Sequence, residues 1–109
     1  MSETVSLEDL PAAVAARRLA YLVTTGDDGA KVVAVDVRAA NGRLVVTGIG
    51  PGSRSHVAAR PSVTLVLAPT ELHDLTLLID GDASVDGEAL AVTATSAVLH
   101  RPAPSLRAD

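Results

Sequence analysis

The chain has no cysteine, phenylalanine or tryptophan; Tyr21 is its single aromatic residue and Met1 its single methionine. Without thiols there can be no disulfides, thiolate metal ligands or cysteine nucleophile. One aromatic ring cannot build a base-stacking platform, and a net charge of −4 disfavours attraction to a nucleic-acid backbone. No apolar run approaches the ~20 residues needed to span a bilayer. The start, MSETVSLEDLP, is acidic and polar, where a secretory leader would be basic and then apolar. A length of 109 residues suits one domain. The reading is a cytoplasmic single domain, residues 1–109, with a core of Val, Leu, Ala and Ile.

What is present reads first as a helix and then as strands. Residues 5–18 carry helix signals: Ser6 as cap, Glu8 and Asp9 in the first turn, Pro11 near it, and Arg17 and Arg18 in the last turn. From Ala20 the period changes. Ala20–Thr25 is β-rich and ends at Gly26-Asp27-Asp28-Gly29, a hairpin signal. Lys31–Arg38 alternates, Asn41-Gly42 turns, and Leu44–Gly48 is a third strand, which predicts an antiparallel meander. Ser53–Arg60 reads as a short helix capped by Ser53 and closed by Pro61. Val63–Leu67 is a continuous apolar strand, expected to be buried on both faces. Ala68–Asp74 reads as a loop. Leu75–Val85 is a long strand with a bend or bulge at Asp80-Gly81-Asp82. Asp86-Gly87-Glu88 turns into Ala89–Leu99, and residues 101–109, with Pro102 and Pro104, read as an irregular tail. Six strands with a helix after the third predict a mainly β protein, a small antiparallel barrel.

Few residues form chemical constellations. His56, His73 and His100 have no partner at metal-ligand spacing, so no metal site is expected. Acids concentrate at turns, where they cap and solubilise, and no catalytic dyad stands out. Gly48–Ser55 is more informative. A glycine-rich turn entering a helix N-terminus offers free N–H groups and a favourable dipole for a phosphate, and Ser53, Arg54 and Ser55 add hydroxyl and guanidinium donors. The same segment also serves as an ordinary flexible connection into a capped helix.

KVVAVD, the Asn41-Gly42 turn, LVVTG, GPGSRSHVAARP and SVTLVL follow one another in an order that resembles the core of the pyridoxamine 5′-phosphate oxidase-like, FMN-binding split β-barrel family. AYLVTTGDDG before them, and LIDGDASV and AVLHRPAP after, extend the resemblance over about Ala20 to Pro104. It implies a six-stranded antiparallel split barrel with an N-terminal helix and a short helix after the third strand. In that family the FMN phosphate is held by basic residues of the first motif strand and by a Ser-Arg-Lys loop. Position by position, the strand's arginine becomes Lys31 and its closing lysine becomes Asp36. The loop triplet becomes Pro51-Gly52-Ser53, with Arg54 next door, and a Tyr-Thr-Asn corner becomes Val46-Thr47-Gly48. The phosphate motif thus loses cations, each worth roughly 1.5–3 kcal/mol as a charged hydrogen bond.

The resemblance implies a cytoplasmic, homodimeric flavoprotein oxidoreductase whose substrate is a small molecule of unknown identity. Lys31, Ser53, Arg54 and Ser55 would meet the phosphate of FMN, with Thr47 and Gly48 near the ring or ribityl chain, and no side chain acting as catalyst. Related small split barrels bind a deazaflavin or haem; for haem, His56 and His100 are the candidate axial ligands. The alternative is a flavin-free, noncatalytic homodimer acting as a binding module, which the depleted phosphate motif favours.

Overall fold

A computed structural model describes residues 2–71 and 74–101. Its elements are β1 (Ser2–Thr4), a 3-10 turn (Leu7–Asp9), α1 (Leu10–Ala15), β2 (Leu19–Gly26), β3 (Gly29–Ala40), β4 (Arg43–Thr47), α2 (Pro51–Ala59), β5 (Ser62–Ala68), β6 (Thr76–Asp86) and β7 (Ala89–His100). All pairings are antiparallel. The order β7-β4-β3-β2-β5-β6 closes on itself because β6 also pairs with β7.

Turn chemistry sets this topology. Asn41 and Gly42 both take positive φ, 53° and 76°, which suits the tight turn joining β3 to β4. β4 pairs with β7 only over Leu90–Val92, and β1 takes the same edge of β7 at Val98–His100. The wall is therefore split between β4 and β1.

Alternation fills the interior. Ala20 and Leu22, Leu44 and Val46, Leu65 and Leu67, Leu77 and Ile79, and Leu90 and Val92 all point inward and are buried. Each of these Leu, Ile and Val side chains contributes roughly 1.5–3 kcal/mol when fully removed from water. Leu10 and Val14 of α1 join this core.

Four expectations need correction. The helix expected over 5–18 is a 3-10 turn and a six-residue helix, and Ser6 makes no side-chain cap bond. Arg17 lies beyond the helix and spends its guanidinium as a latch, donating to the carbonyls of Leu67 (3.0 Å) and Leu75 (2.7 Å). Burial pushes its pKa down, against the opposing charge of Asp74. Val63–Leu67 alternates after all, with Val63, Leu65 and Leu67 inside and Thr64 and Val66 half-exposed. Strand β1 went unforeseen, since SET carries no apolar pattern. Finally, α2 starts at Pro51 with Gly50 as its N-cap, three residues earlier than a Ser53 cap would require.

The expected irregularity in Asp80-Gly81-Asp82 is a β-bulge whose extra residue sits on the other strand. Asp80 and Gly81 face Ser96 and Ala94, leaving Thr95 unpaired. The Thr95 hydroxyl donates to the Asp80 carbonyl at 3.1 Å. Gly81 is required by close approach: a Cβ there would meet the Thr93 carbonyl oxygen at 2.6 Å.

Candidate functional site

Helix α2 packs on β2 and β6 near the β2–β3 turn. Its phase decides which of its side chains can share a site. Ser53 and Val57 face the core; Gly52 and His56, one turn apart, face β2 and β3.

Thr24 and Lys31 are directly paired across β2 and β3, so their side chains lie on the same, inner face. From there Lys31 reaches the first turn of α2. A Cβ on Gly52 would come within 2.5 Å of the Lys31 Nζ. Among the described residues the Lys31 ammonium makes no hydrogen bond or ion pair. A helix N-terminus carries partial positive charge and unsatisfied N–H groups, so an unpaired ammonium there is electrostatically unfavourable unless an anion joins it. In the same turn Ser53 is 1% exposed, and its Oγ has no hydrogen-bond partner among the described residues.

His56 completes the face. Its Nδ1 lies 3.0 Å from the hydroxyl oxygen of Thr24, itself 1% exposed. Its ring rests over Gly26, where a Cβ would fall 2.6 Å from Nε2. Gly26 and Gly52 thus act as slots, one for an imidazole and one for an ammonium.

Of the residues singled out in the sequence, Lys31 reaches the first turn of α2 at Gly52, whereas Ser53 of that turn faces the core. Arg54 turns to the other flank, donating to the carbonyls of Ile49 (3.3 Å) and Glu88 (3.5 Å). Ser55 is exposed. Thr47 ends β4 opposite Asp36, and Gly48 follows it with φ +84°. Asp36 is five residues from Lys31, about 16 Å along the strand, and on the opposite face. Its charge therefore does not oppose Lys31 directly. Gly52, Thr24 and His56 were not assigned to the site from sequence. Their contacts join β2 to a helix about thirty residues away, and no local pattern signals that.

Other features lie apart. His100 is exposed, its Nδ1 3.2 Å from Ser2 Oγ, while His73 and the residues after Arg101 fall outside the described residues. Among the described residues, no cluster of three or more His, Asp or Glu is placed to hold a metal ion. A cleft of about 600 Å³, lined by Leu7, Leu10, Ala39, Arg43, Leu44 and Val92, opens at the far end of β3 from Lys31. No helix among the described residues is long and apolar enough to cross a membrane.

Solved structures share this architecture. A candidate pyridoxamine 5′-phosphate oxidase from Listeria innocua superposes with a TM-score of 0.68 at 12% identity, covering 85% of this chain and 96% of its own. The chain has a split β-barrel fold. An FAD-binding protein from Mycobacterium smegmatis matches with a TM-score of 0.66 at 14% identity, over 93% of this chain and 100% of that one. A NimC/NimA family protein from Clostridium acetobutylicum matches at 0.58 and 12%, over 86% and 81%. No family model matches the sequence, and no curated protein matches it significantly. At these identities the split-barrel likeness is one of fold.

Proposed function

We propose that this split barrel binds a flavin by its phosphate at the start of α2 and works as a cytoplasmic, homodimeric flavin-dependent oxidoreductase. The observation that carries the reading is the Lys31 ammonium held, without an acid, against the positive end of α2. Two positive fields converge there, and a phosphate is the group that would satisfy both. The slot at Gly52, which admits the Lys31 ammonium to the first turn of α2, supports the fit. A bound flavin would supply two-electron redox chemistry by hydride transfer. The chain's part is to bind and orient: Lys31 and the N–H groups of the first turn of α2 hold the phosphate, and Lys31, standing on a paired strand, fixes its position. FMN is the simplest ligand with that group; FAD and a deazaflavin share the phosphate chemistry.

The outer wall supports the homodimer. One cross-strand rung, Ala34–Tyr21–Val66–Leu78–Val98, runs over five strands as a continuous apolar row with no charge in it. Val32, beside it and paired with Val23, is 60% exposed. A half-exposed apolar strip of this kind in a small β protein favours a second copy as its cover.

A second reading has one observation in its favour. With Arg54 turned away, the site holds a single lysine, few cations for a phosphate dianion, as a flavin-free dimeric binding module would have. An absorption spectrum of the purified protein followed by fluorescence titration with FMN separates the two. Saturable quenching at one site per subunit supports the flavin reading; no chromophore and no saturation supports the second.

A further inference from the structure

We propose that the cleft bordered by the β3–β4 turn, β7 and the 3-10 turn is a second ligand site, and that its ligand is a free α-amino acid with an apolar side chain. The site is independent of the flavin reading. It lies at the other end of β3 from Lys31, and it shares no residue with the cradle or with the apolar row of the outer wall.

The split in the barrel wall opens this space. β4 pairs with β7 only as far as Leu44 and Val92. β1 resumes the same edge at Val98, and the Val5 N–H donates to the Ala97 carbonyl at 2.9 Å. The backbone groups of Thr93–Ser96 that point to that edge therefore have no strand to pair with. Ala39, Gly42 and Ala94 border the gap and are too small to fill it. The volume left is about 600 Å³, within the range of small-molecule sites. Its floor is apolar, made by the buried Leu10, Leu44 and Val92, and the exposed Leu7 continues it. An apolar floor with a few polar groups beside it is how small-molecule sites are commonly built.

Two opposite charges line the same cleft and decide the ligand. Arg43 opens β4, where the tight Asn41-Gly42 turn fixes its backbone, and Glu8 comes from the 3-10 turn. Among the described residues neither side chain makes a hydrogen bond or an ion pair, with the other or with any third group. A guanidinium beside an apolar floor suits a carboxylate, which it can hold with two parallel bonds. A fatty acid would use that cation and the floor but would bring a second negative charge near Glu8. An amine would use Glu8 and leave Arg43 without a partner. A zwitterion with an apolar side chain satisfies all three: carboxylate to Arg43, ammonium to Glu8, side chain on Leu10, Leu44 and Val92.

Leucine is the probe, and two-dimensional amide NMR of the full chain is the readout. Titration should give saturable shifts in the millimolar range or tighter, centred on Leu10, Gly42, Leu44 and Thr93. Isocaproate is leucine without its ammonium, and isoamylamine is leucine without its carboxylate. Each should bind at least about fivefold more weakly than leucine. Arg43→Gln and Glu8→Gln alter exposed side chains, so both variants should keep the parent's circular dichroism. Each should lose at least about fivefold in leucine affinity, and Glu8→Gln should not weaken isocaproate. Lys31→Met should leave leucine binding unchanged whether or not FMN binds, so the two sites stand or fall separately. No saturable shift at the cleft, isocaproate or isoamylamine binding as tightly as leucine, or a glutamine variant keeping the parent's affinity overturns the proposal. A loss of leucine binding in Lys31→Met would put the amino acid in the cradle and overturn it as well.

Discussion

The Lys31 ammonium rests so close to Gly52 that a Cβ on Gly52 would come within 2.5 Å of Nζ. Nothing in the backbone demands glycine there, since Gly52 lies within α2 and its φ is not positive. The residue's use is spatial. Gly52→Ala should therefore separate stability from binding. Alanine favours the helix by roughly 0.5–1 kcal/mol, and the flexible end of Lys31 can move aside. We expect unchanged or slightly higher resistance to urea together with at least about fivefold weaker FMN binding, a loss of about 1 kcal/mol. Parallel binding and stability losses would point to a packing role instead.

The Thr24–His56 hydrogen bond stitches α2 to the barrel. Thr24→Val keeps the shape but removes the hydroxyl, leaving Nδ1 without its partner. A loss of about 1–2 kcal/mol in urea unfolding is expected. No change would mean that the bond contributes nothing net and that α2 is held by Val57 and its apolar neighbours alone.

Gly81→Ala should be more damaging than either. The added carbon would meet the Thr93 carbonyl oxygen at 2.6 Å and Val92 Cγ1 at 2.9 Å, and backbone in a paired strand cannot easily yield. About 2 kcal/mol or more of destabilisation is expected, with the bulge at Thr95 disturbed. Thermal unfolding followed by circular dichroism measures it.

Breaking the apolar rung tests the dimer without touching the core. Leu78→Asp puts a charge mid-row, and Val32→Lys puts one at a residue 60% exposed. Both variants should sediment as monomers at concentrations where the parent sediments as a dimer, with near-parent circular dichroism. A parent that is itself monomeric would remove the homodimer from the account.

The barrel was legible in the sequence because its strands alternate and its turns carry their own signals. Asn41-Gly42 and Asp86-Gly87 mark hairpins that local chemistry alone specifies. What escaped is non-local. Arg17 looked like the end of a helix but is spent on carbonyls some fifty residues away. Placing the cap at Ser53 rather than Gly50 moved the start of α2 by three residues. That shift hides which residues share a face: Ser53 is turned into the core, Gly52 and His56 come together, and Arg54 is carried to the opposite flank. Lys31 was recognisable as a basic strand residue; the helix it touches was not.

The most direct test of the central claim compares FMN affinity in the parent, Lys31→Ala and Arg54→Ala. Lys31 supplies the ammonium in the cradle, whereas Arg54 is committed to the carbonyls of Ile49 and Glu88. The expected result is saturable binding by the parent, at least about tenfold weaker binding by Lys31→Ala, and a change below about threefold for Arg54→Ala. Equal affinities for the parent and Lys31→Ala, or a loss confined to Arg54→Ala, would contradict it.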